Sequence, residues 1–333
     1  MAIVLNPITL PASKVLNTVT SLIGELRFKD TIGVSDIVNE LVNSCRVGKV
    51  DFGKGIVFTF KTGLQPKKAL STNSSALTIT KPNVAQETIE IDTYNFIPLS
   101  VSEILTRDAV LNGELVNTFL DFTMSLMSDT ETFDLFDICN SLYQDWVPGQ
   151  ASQTIQVNQL NTTGLTGQEL QSALTWNANE MARVMRKTIN NMKIKNNKFT
   201  DVATYIDAND GTEQNVVSAL RSDDLKLVMN DKYWTNFISN TLASLYHSEK
   251  IGEMIPGEKF VLIPEDAMKE GNEKVIGWLS DKSKFALADF YKTTESIRDP
   301  STLYTNYFHH YAIGYGVFKY APGVKFVENT IEQ

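Results

Sequence analysis

Between Glu114 and Trp146 apolar residues recur at alternating spacings of three and four, which places Leu115, Phe119, Phe122, Leu126, Phe133, Phe136 and Tyr143 on one side of a helix. Gly113 precedes the run and Pro148-Gly149 closes it. A continuous helix of this length spans roughly 50 Å at about 1.5 Å per residue, about three times an average globular helix. The polar interruption from Ser128 to Thr132 keeps the phase, because Phe133 stands seven residues after Leu126, so one beam-like helix is predicted. Asp121, Ser125, Glu131, Asp134 and Asp145 fall on the opposite side and are expected in solvent.

Upstream the period changes. Residues 1–50 read as an arm: Pro7 and Pro11 keep its beginning extended, and Ser13 and Ser35 are placed to cap two short helices, the second burying Ile37, Val38, Leu41 and Val42. Such a segment contributes little core alone and is expected to lie along something else. From Val50 to Leu99 the pattern alternates. Ile56, Phe58 and Phe60 interleave with Val57, Thr59 and Lys61, Leu77 and Ile79 interleave with Thr78 and Thr80, and the polar stretch Thr62 to Ser75 separates the two sets. This predicts a long hairpin with a polar tip, followed by a further alternating run, Ile89, Ile91, Thr93, Asn95 and Ile97. A two-stranded hairpin is marginal in water, so it needs a surface, supplied either by its own chain or by a neighbouring copy.

Downstream of Pro148, Thr166-Gly-Gln-Glu169 fits a capping box opening a helix whose apolar side carries Leu170, Leu174, Met181, Val184, Met185, Ile189 and Met192. Arg183, Arg186, Lys187, Lys193 and Lys195 lie elsewhere on it; the cluster reads first as a solvated face and second as a phosphate-facing one. Leu225 to Met229 is a short apolar strand, Asp231 is placed to cap a helix with Phe237, Ile238, Leu242 and Leu245, and Lys259 to Ile263 and Phe285 to Ala288 read as buried strands. Strands alternating with helices here predict a compact mixed subdomain. In the aromatic stretch from Leu303 to Val327, Tyr304, Asn306, Phe308 and His310 face away from Tyr307, His309 and Tyr311, and Gly314 and Gly316 predict a bend or bulge.

Composition narrows function more by exclusion than by assignment. A chain of 333 residues with 42% apolar content can bury a sizeable core. The 30 basic and 39 acidic residues give a net charge of -9, which argues against a dedicated nucleic-acid binder. Cys45 and Cys139 have no metal-like spacing and read as buried thiols in a reducing compartment. No apolar run has the length of a membrane span and MAIVLNPITLP lacks a secretory pattern, so a soluble protein made in the cytoplasm is expected. His309 and His310, adjacent on a strand, point to opposite faces and read as structural; Asp134 and Asp137 read as a solvated pair; Gly314-Tyr-Gly316 is not a dinucleotide loop. No P-loop, nucleophile elbow or zinc spacing occurs, so neither an enzyme nor a cofactor is expected.

The order of parts resembles the major capsid protein of tailed bacteriophages, with its α+β Hong Kong 97 type fold, and in particular the phi29-like branch. Asp281-Lys-Ser-Lys-Phe-Ala-Leu-Ala-Asp-Phe-Tyr291 resembles the strand pair that closes the axial subdomain of that family. Glu295-Ser-Ile-Arg-Asp-Pro-Ser-Thr-Leu-Tyr-Thr-Asn-Tyr-Phe-His-His310 resembles its return strand. The resemblance implies an N-terminal arm at 1–50, an extended hairpin loop at 51–98, a peripheral subdomain at 99–149 with its spine helix near 111–147, an axial subdomain at 150–285 and return strands of the peripheral subdomain at 286–333. It implies a coat protein that self-assembles as hexamers and pentamers into an icosahedral head shell around double-stranded DNA, in the virion and, during assembly, in the host cytoplasm. Its partners are then other copies, a portal, a separate scaffolding protein and packaged DNA held without sequence preference. Residues implied in assembly are the hairpin tip, Lys61, Leu64, Pro66, Lys67 and Lys68, and the spine core, Phe119, Phe122, Leu126, Phe133, Phe136 and Tyr143, with Arg183, Arg186 and Lys187 as candidates for facing DNA. Two rival readings are an encapsulin-like compartment shell, similar in fold, and a soluble enzyme using Asp134, Asp137 and His247.

Overall fold

The computed structural model describes residues 34–49, 51, 54–65, 80–102, 113–244 and 260–332. Ser13, Leu77, Ile79, Leu245 and the earlier part of the arm lie outside the described residues.

Helix α1 (Asp36–Cys45) starts where predicted, with the Val38 N–H donating to Ser35 Oγ at 3.5 Å. It buries Val38, Leu41, Val42 and Cys45, the i, i+3, i+4, i+7 set, whereas Ile37, about 100° away from Val38 on the helix, is exposed and not buried as expected. Strand β1 (Arg46–Lys49) then pairs in parallel with a later strand. Residues 36–49 are therefore not an arm with little core of its own: Leu41 and Cys45 are fully buried in the principal core.

Helix α2 (Gly113–Gln144) is one unbroken helix of 32 residues, as its phase predicted. Its buried positions are Met127, Glu131, Leu135, Phe136, Cys139, Asn140, Tyr143 and Gln144, while Phe122, Leu126 and Phe133 are half-buried and the Phe119 side chain is outside those described. Glu131, expected in solvent, is buried, and Asp134 is half-buried, because this side of the helix lies against a sheet that supplies hydrogen-bond donors to both.

That sheet has the strand order β1-β11-β12-β4, formed by β1, β11 (Phe285–Asp299), β12 (Tyr304–Val317) and β4 (Thr93–Ser102). A second sheet has the order β5-β13-β10-β8-β9, from β5 (Thr154–Leu160), β13 (Gly323–Ile331), β10 (Val275–Asp281), β8 (Leu225–Asn230) and β9 (Phe260–Ile263). Helices α3 (Gly167–Lys193) and α4 (Asp231–Ser244) cover one face of the second sheet over Leu227, Met229, Ile276 and Phe326. Its other face, with Val228, Ile263, Val275 and Trp278, joins the core built by α1 and α2. Burial on both faces accounts for β8 reading as a continuous apolar run rather than an alternation. Helix α3 begins after Thr166, but no side-chain cap bond forms there, and the side chain accepting a backbone N–H at the start of α4 is Asn230, which takes the Lys232 N–H at 3.1 Å, while Asp231 Oδ1 accepts from Thr235 Oγ1 at 3.1 Å.

The residues from Asp281 to Tyr291 are not a pair of bonded strands. β10 and β11 follow each other across Lys282 to Lys284 yet belong to different sheets, and β13 returns from the first sheet to the second, so 286–333 is divided between them. Chain segments at 145–153, 282–284 and 318–322 thus run between the sheets, and a buried polar cluster sits among them. Lys284 Nζ donates to Asp201 Oδ2 at 3.0 Å, Ala321 O at 2.9 Å and Phe318 O at 3.2 Å, with Nζ 4.8 Å from the Trp146 ring centroid. Asp201 also accepts from Gln153 Nε2 at 2.7 Å and Trp146 Nε1 at 3.2 Å.

The hairpin pairs β2 (Ile56–Lys61) with β3 (Val84–Ile89), while Leu77 to Ile79, the expected return, lie outside the described residues. The Phe58 and Phe60 rings lie 4.6 and 5.4 Å from that of Phe318, and Ile89 is buried beside them, so the chain itself supports one face of the described hairpin. Val57 and Val84 on the other face are exposed. A second small hairpin, β6 (Thr204–Ile206) with β7 (Glu213–Asn215), grips its upper end through Asn83 Nδ2 to Asp207 Oδ2 at 3.0 Å and the Val217 N–H to Thr62 O at 2.9 Å.

Candidate assembly surfaces

The β4-β12-β11 sheet has two unlike faces, and alternation along each strand makes them so. On the inner face a row of polar groups meets α2. His309 Nε2 is 2.9 Å from Glu131 Oε2, Lys292 pairs with the same carboxylate, and His309 Nδ1 is 2.7 Å from Thr294 Oγ1. The Tyr311 hydroxyl donates to Asp134 Oδ2 at 2.7 Å, and burial together with this carboxylate pushes it up to about 12. His309 is thus a satisfied interior residue, as its strand position implied.

The outer face carries rings and no helix among the described residues. Tyr94 lies 5.9 Å from His310 and 6.4 Å from Tyr291, and Phe96 lies 5.8 Å from His310 and 6.3 Å from Phe308, centroid to centroid. Tyr94 and Phe96 are 53% and 55% exposed, and Ile297 beyond them is 61% exposed. A contiguous aromatic patch of this kind marks a contact surface. Sequence reading named the inward set Thr93, Asn95 and Ile97 and passed over Tyr94 and Phe96. Tyr94, Phe96 and Pro98 form an apolar row on the side opposite that set, which calls for cover there as well.

The patch ends at a tight turn between β11 and β12. Asp299 Oδ1 accepts from the Ser301 N–H at 2.9 Å and Ser301 Oγ at 2.6 Å, and Oδ2 accepts from Thr302 Oγ1 at 2.7 Å. These bonds hold the Asp299 carboxyl at about 2. Leu303 takes a left-handed conformation, φ 56°, to close the turn. Gly314 serves close approach rather than a bend: a Cβ there would sit 2.0 Å from Glu90 O, and the bulge lies in the partner strand between Asp289 and Tyr291.

Of the other candidate residues, Lys61 is exposed at the end of β2 and Leu64 beyond it is 65% exposed, while Pro66, Lys67 and Lys68 lie outside the described residues. Arg183, Arg186 and Lys187 are exposed along α3 and line a shallow groove with Asn179, Asn190 and Asn191, but Arg183 is held by Glu180 through bonds of 2.7 and 2.6 Å. Asp134 is engaged with Tyr311, Asp137 is exposed, and His247 is outside the described residues. Among the described residues no cluster of three or more metal-ligating side chains occurs, and no helix is long and apolar enough to cross a membrane.

A bare aromatic sheet face beside a long helix is the geometry of a subunit that packs against others. The model of the family described as Phi29-like phage major capsid protein matches residues 56–327. The chain belongs to that family. Its fold is similar to that in the capsid structure of the cyanophage P-SCSP1u, at 13% identity and a TM-score of 0.54, covering 93% of each chain. It is also similar to that in the capsid structure of Staphylococcus phage Andhra, at 10% identity and a TM-score of 0.58, covering 92% of this chain and 88% of the other. No curated protein matches in sequence. This phi29-like capsid protein has the α+β Hong Kong 97 type fold and is a shell-forming coat protein of a phage virion, a structural rather than an enzymatic family.

Proposed function

We propose that copies of this protein close into an icosahedral head of hexamers and pentamers around double-stranded DNA, using the outer β4-β12-β11 face as a principal contact with a second copy. The observation that carries this reading is the patch of exposed Tyr94 and Phe96 around half-buried His310, on a sheet whose opposite face is already covered. The hairpin tip, Lys61, Leu64, Pro66, Lys67 and Lys68, is a further proposed contact, and the α2 core, Phe119, Phe122, Leu126, Phe133, Phe136 and Tyr143, keeps the subunit stiff. We assign the family's divisions as arm 1–50, hairpin loop 51–98, peripheral 99–149, axial 150–285 and return strands 286–333, with β13 lying in the second sheet. A net charge of -9 suits a wall that encloses DNA without gripping it, with Arg186 and Lys187 giving non-specific contact and Arg183 partly neutralised by Glu180. Assembly proceeds in the host cytoplasm with a portal and a separate scaffolding protein, and the shell carries out no catalysis.

Electron microscopy of the purified protein across a concentration series, with and without scaffold, is expected to show closed shells. Tyr94→Glu with Phe96→Glu is expected to keep the far-ultraviolet circular dichroism of the parent and to leave unassembled subunits. A lasting monomer for the parent overturns the shell reading, and intact shells from the double variant overturn the assigned face.

A further inference from the structure

The β6–β7 hairpin adds no core of its own. Ile206 is 74% exposed, all of β7 is exposed, and none of the residues in the two strands joins a buried apolar cluster. Its turn is nevertheless fixed bond by bond. Asp207 Oδ1 accepts the Asn209 N–H at 2.8 Å, Asp210 Oδ1 accepts the Thr212 N–H at 2.9 Å, and the Gly211 N–H reaches Asp207 O at 2.9 Å, with Gly211 in the left-handed region at φ 72°. Two strands of three residues each are marginal alone, so this order is kept by what the hairpin holds.

It holds the upper end of the β2–β3 hairpin. Asn83 is 4% exposed and uses both amide donors and its carbonyl: Nδ2 donates to the Tyr205 hydroxyl at 3.3 Å and to Asp207 Oδ2 at 3.0 Å, and Oδ1 accepts the Ala208 N–H at 3.0 Å. The Asn209 amide pairs with the Lys81 backbone in both directions, accepting its N–H at 2.7 Å and donating to its carbonyl at 3.1 Å. On the other strand Thr62, 2% exposed, accepts the Val217 N–H at 2.9 Å. The approach is close, since a Cβ at Gly63 would fall 1.9 Å from the Tyr205 hydroxyl oxygen. At the lower end Phe58 and Phe60 rest on Phe318, and Glu87 accepts the Lys319 N–H at 3.1 Å. Two separated supports fix a direction, which one support cannot do.

We propose that the β6–β7 hairpin is an outrigger that sets the direction of the β2–β3 hairpin inside a single subunit, before a second copy is met, and that Asn83 is its positioning residue. The proposal rests on the shell reading in one respect, that the hairpin tip meets a neighbour. A segment already ordered when it meets its partner escapes the entropy of being ordered on binding. The outrigger therefore strengthens every tip contact without touching the neighbour. The hold depends on complementarity as well as on bulk: an amide at position 83 gives Asp207 a donor, whereas a carboxylate there would set two like charges 3.0 Å apart.

The test uses the full chain in two assays. Hydrogen exchange of the unassembled subunit, read by mass spectrometry on peptides covering 61–84 and 203–217, is expected to quicken at least about tenfold for Asn83→Ala and for Asn83→Asp, while the ladder from Ile56 to Phe60 keeps the parent's rate. Assembly followed by light scattering is expected to need at least about ten times more of either variant for half-maximal signal. The thermal unfolding midpoint is expected to stay within about 2 °C, which separates a lost direction from a general loss of stability. Asn83→Asp combined with Asp207→Asn exchanges donor and acceptor across the same gap and is expected to restore both readings, whereas two unrelated defects would add. If the parent itself does not assemble, the shell reading fails and the exchange assay decides the outrigger alone. Parent-like exchange at 61–84 in Asn83→Asp, altered exchange with unaltered assembly, or no recovery in the double variant overturns the proposal.

Discussion

Replacing Lys284 by Met tests how much of the subunit's stability passes through the cluster between its two sheets. The ammonium is fully buried and its three contacts, Asp201 at 3.0 Å and the carbonyls of Phe318 and Ala321 at 3.2 and 2.9 Å, use all three of its protons. Met fills nearly the same space, so the loss is electrostatic rather than a cavity. Asp201 keeps Gln153 and Trp146 as donors but loses its cation in a site that is almost dry, and two carbonyls lose their partner. Removing one member of a buried pair costs about 3–5 kcal/mol, a fifth or more of the roughly 5–15 kcal/mol that holds a typical protein folded. Guanidinium unfolding followed by tryptophan emission reads this directly, since Trp146 stacks on the lysine. The midpoint is expected to fall with an unchanged slope, as for a pure stability change. Asp201→Asn added to Lys284→Met is expected to restore about 2 kcal/mol, because the uncompensated charge goes with it. A loss under about 1 kcal/mol for the single variant, or simple additivity for the double, refutes the assignment of a paired, desolvated lysine.

Other substitutions probe the sheets and their turn. Gly314→Ala brings a methyl group to 2.0 Å from Glu90 O and is expected to cost about 1–3 kcal/mol or more, whereas Gly316→Ala meets nothing within 4 Å and is expected to change stability by less than about 0.5 kcal/mol, both by thermal unfolding. Glu131→Leu strands His309 and Lys292 and is expected to cost about 1–3 kcal/mol in the same assay, with Glu131→Gln milder because it still accepts from His309. Asp299, held down to about 2 from the ordinary 3.8, contributes stability that is fully present above pH 3.8 and lost as pH falls through 2. The gap in unfolding midpoint between the parent and Asp299→Ala is therefore expected to be constant from pH 7 to about 5 and to close across that window; a gap that widens on acidification contradicts the sign.

What could be read from the sequence was whatever depends on neighbours along the chain. The phase of α2 survived its polar middle because seven residues from Leu126 to Phe133 is two helical turns whatever lies opposite. The Ser35 cap and the split faces of His309 and His310 were legible for the same local reason. Pairings across the fold were not. Glu131 looked solvated because its partner His309 stands 178 positions away, and no periodicity announces such a contact. The partner of β2 did not stand out because Val84-Ala-Gln-Glu-Thr-Ile89 has one modest apolar side and reads no more strongly than Leu77 to Thr80. An amphipathic α1 was identified, but amphipathicity says only that something covers the helix, and α2 proved to be that cover. The aromatic run in β12 pointed to the family, while the bareness of its outer side appears only once both neighbouring strands are in place.

Every passage of the chain between the two sheets touches Lys284 or its carboxylate, which makes this spot a pin through three hinge leaves. Sliding one sheet past the other would strip a charge of all its acceptors at once. Variation in curvature around a closed container is therefore expected to be absorbed by the exposed rim beyond Asp299, leaving the core shared by the two sheets unchanged.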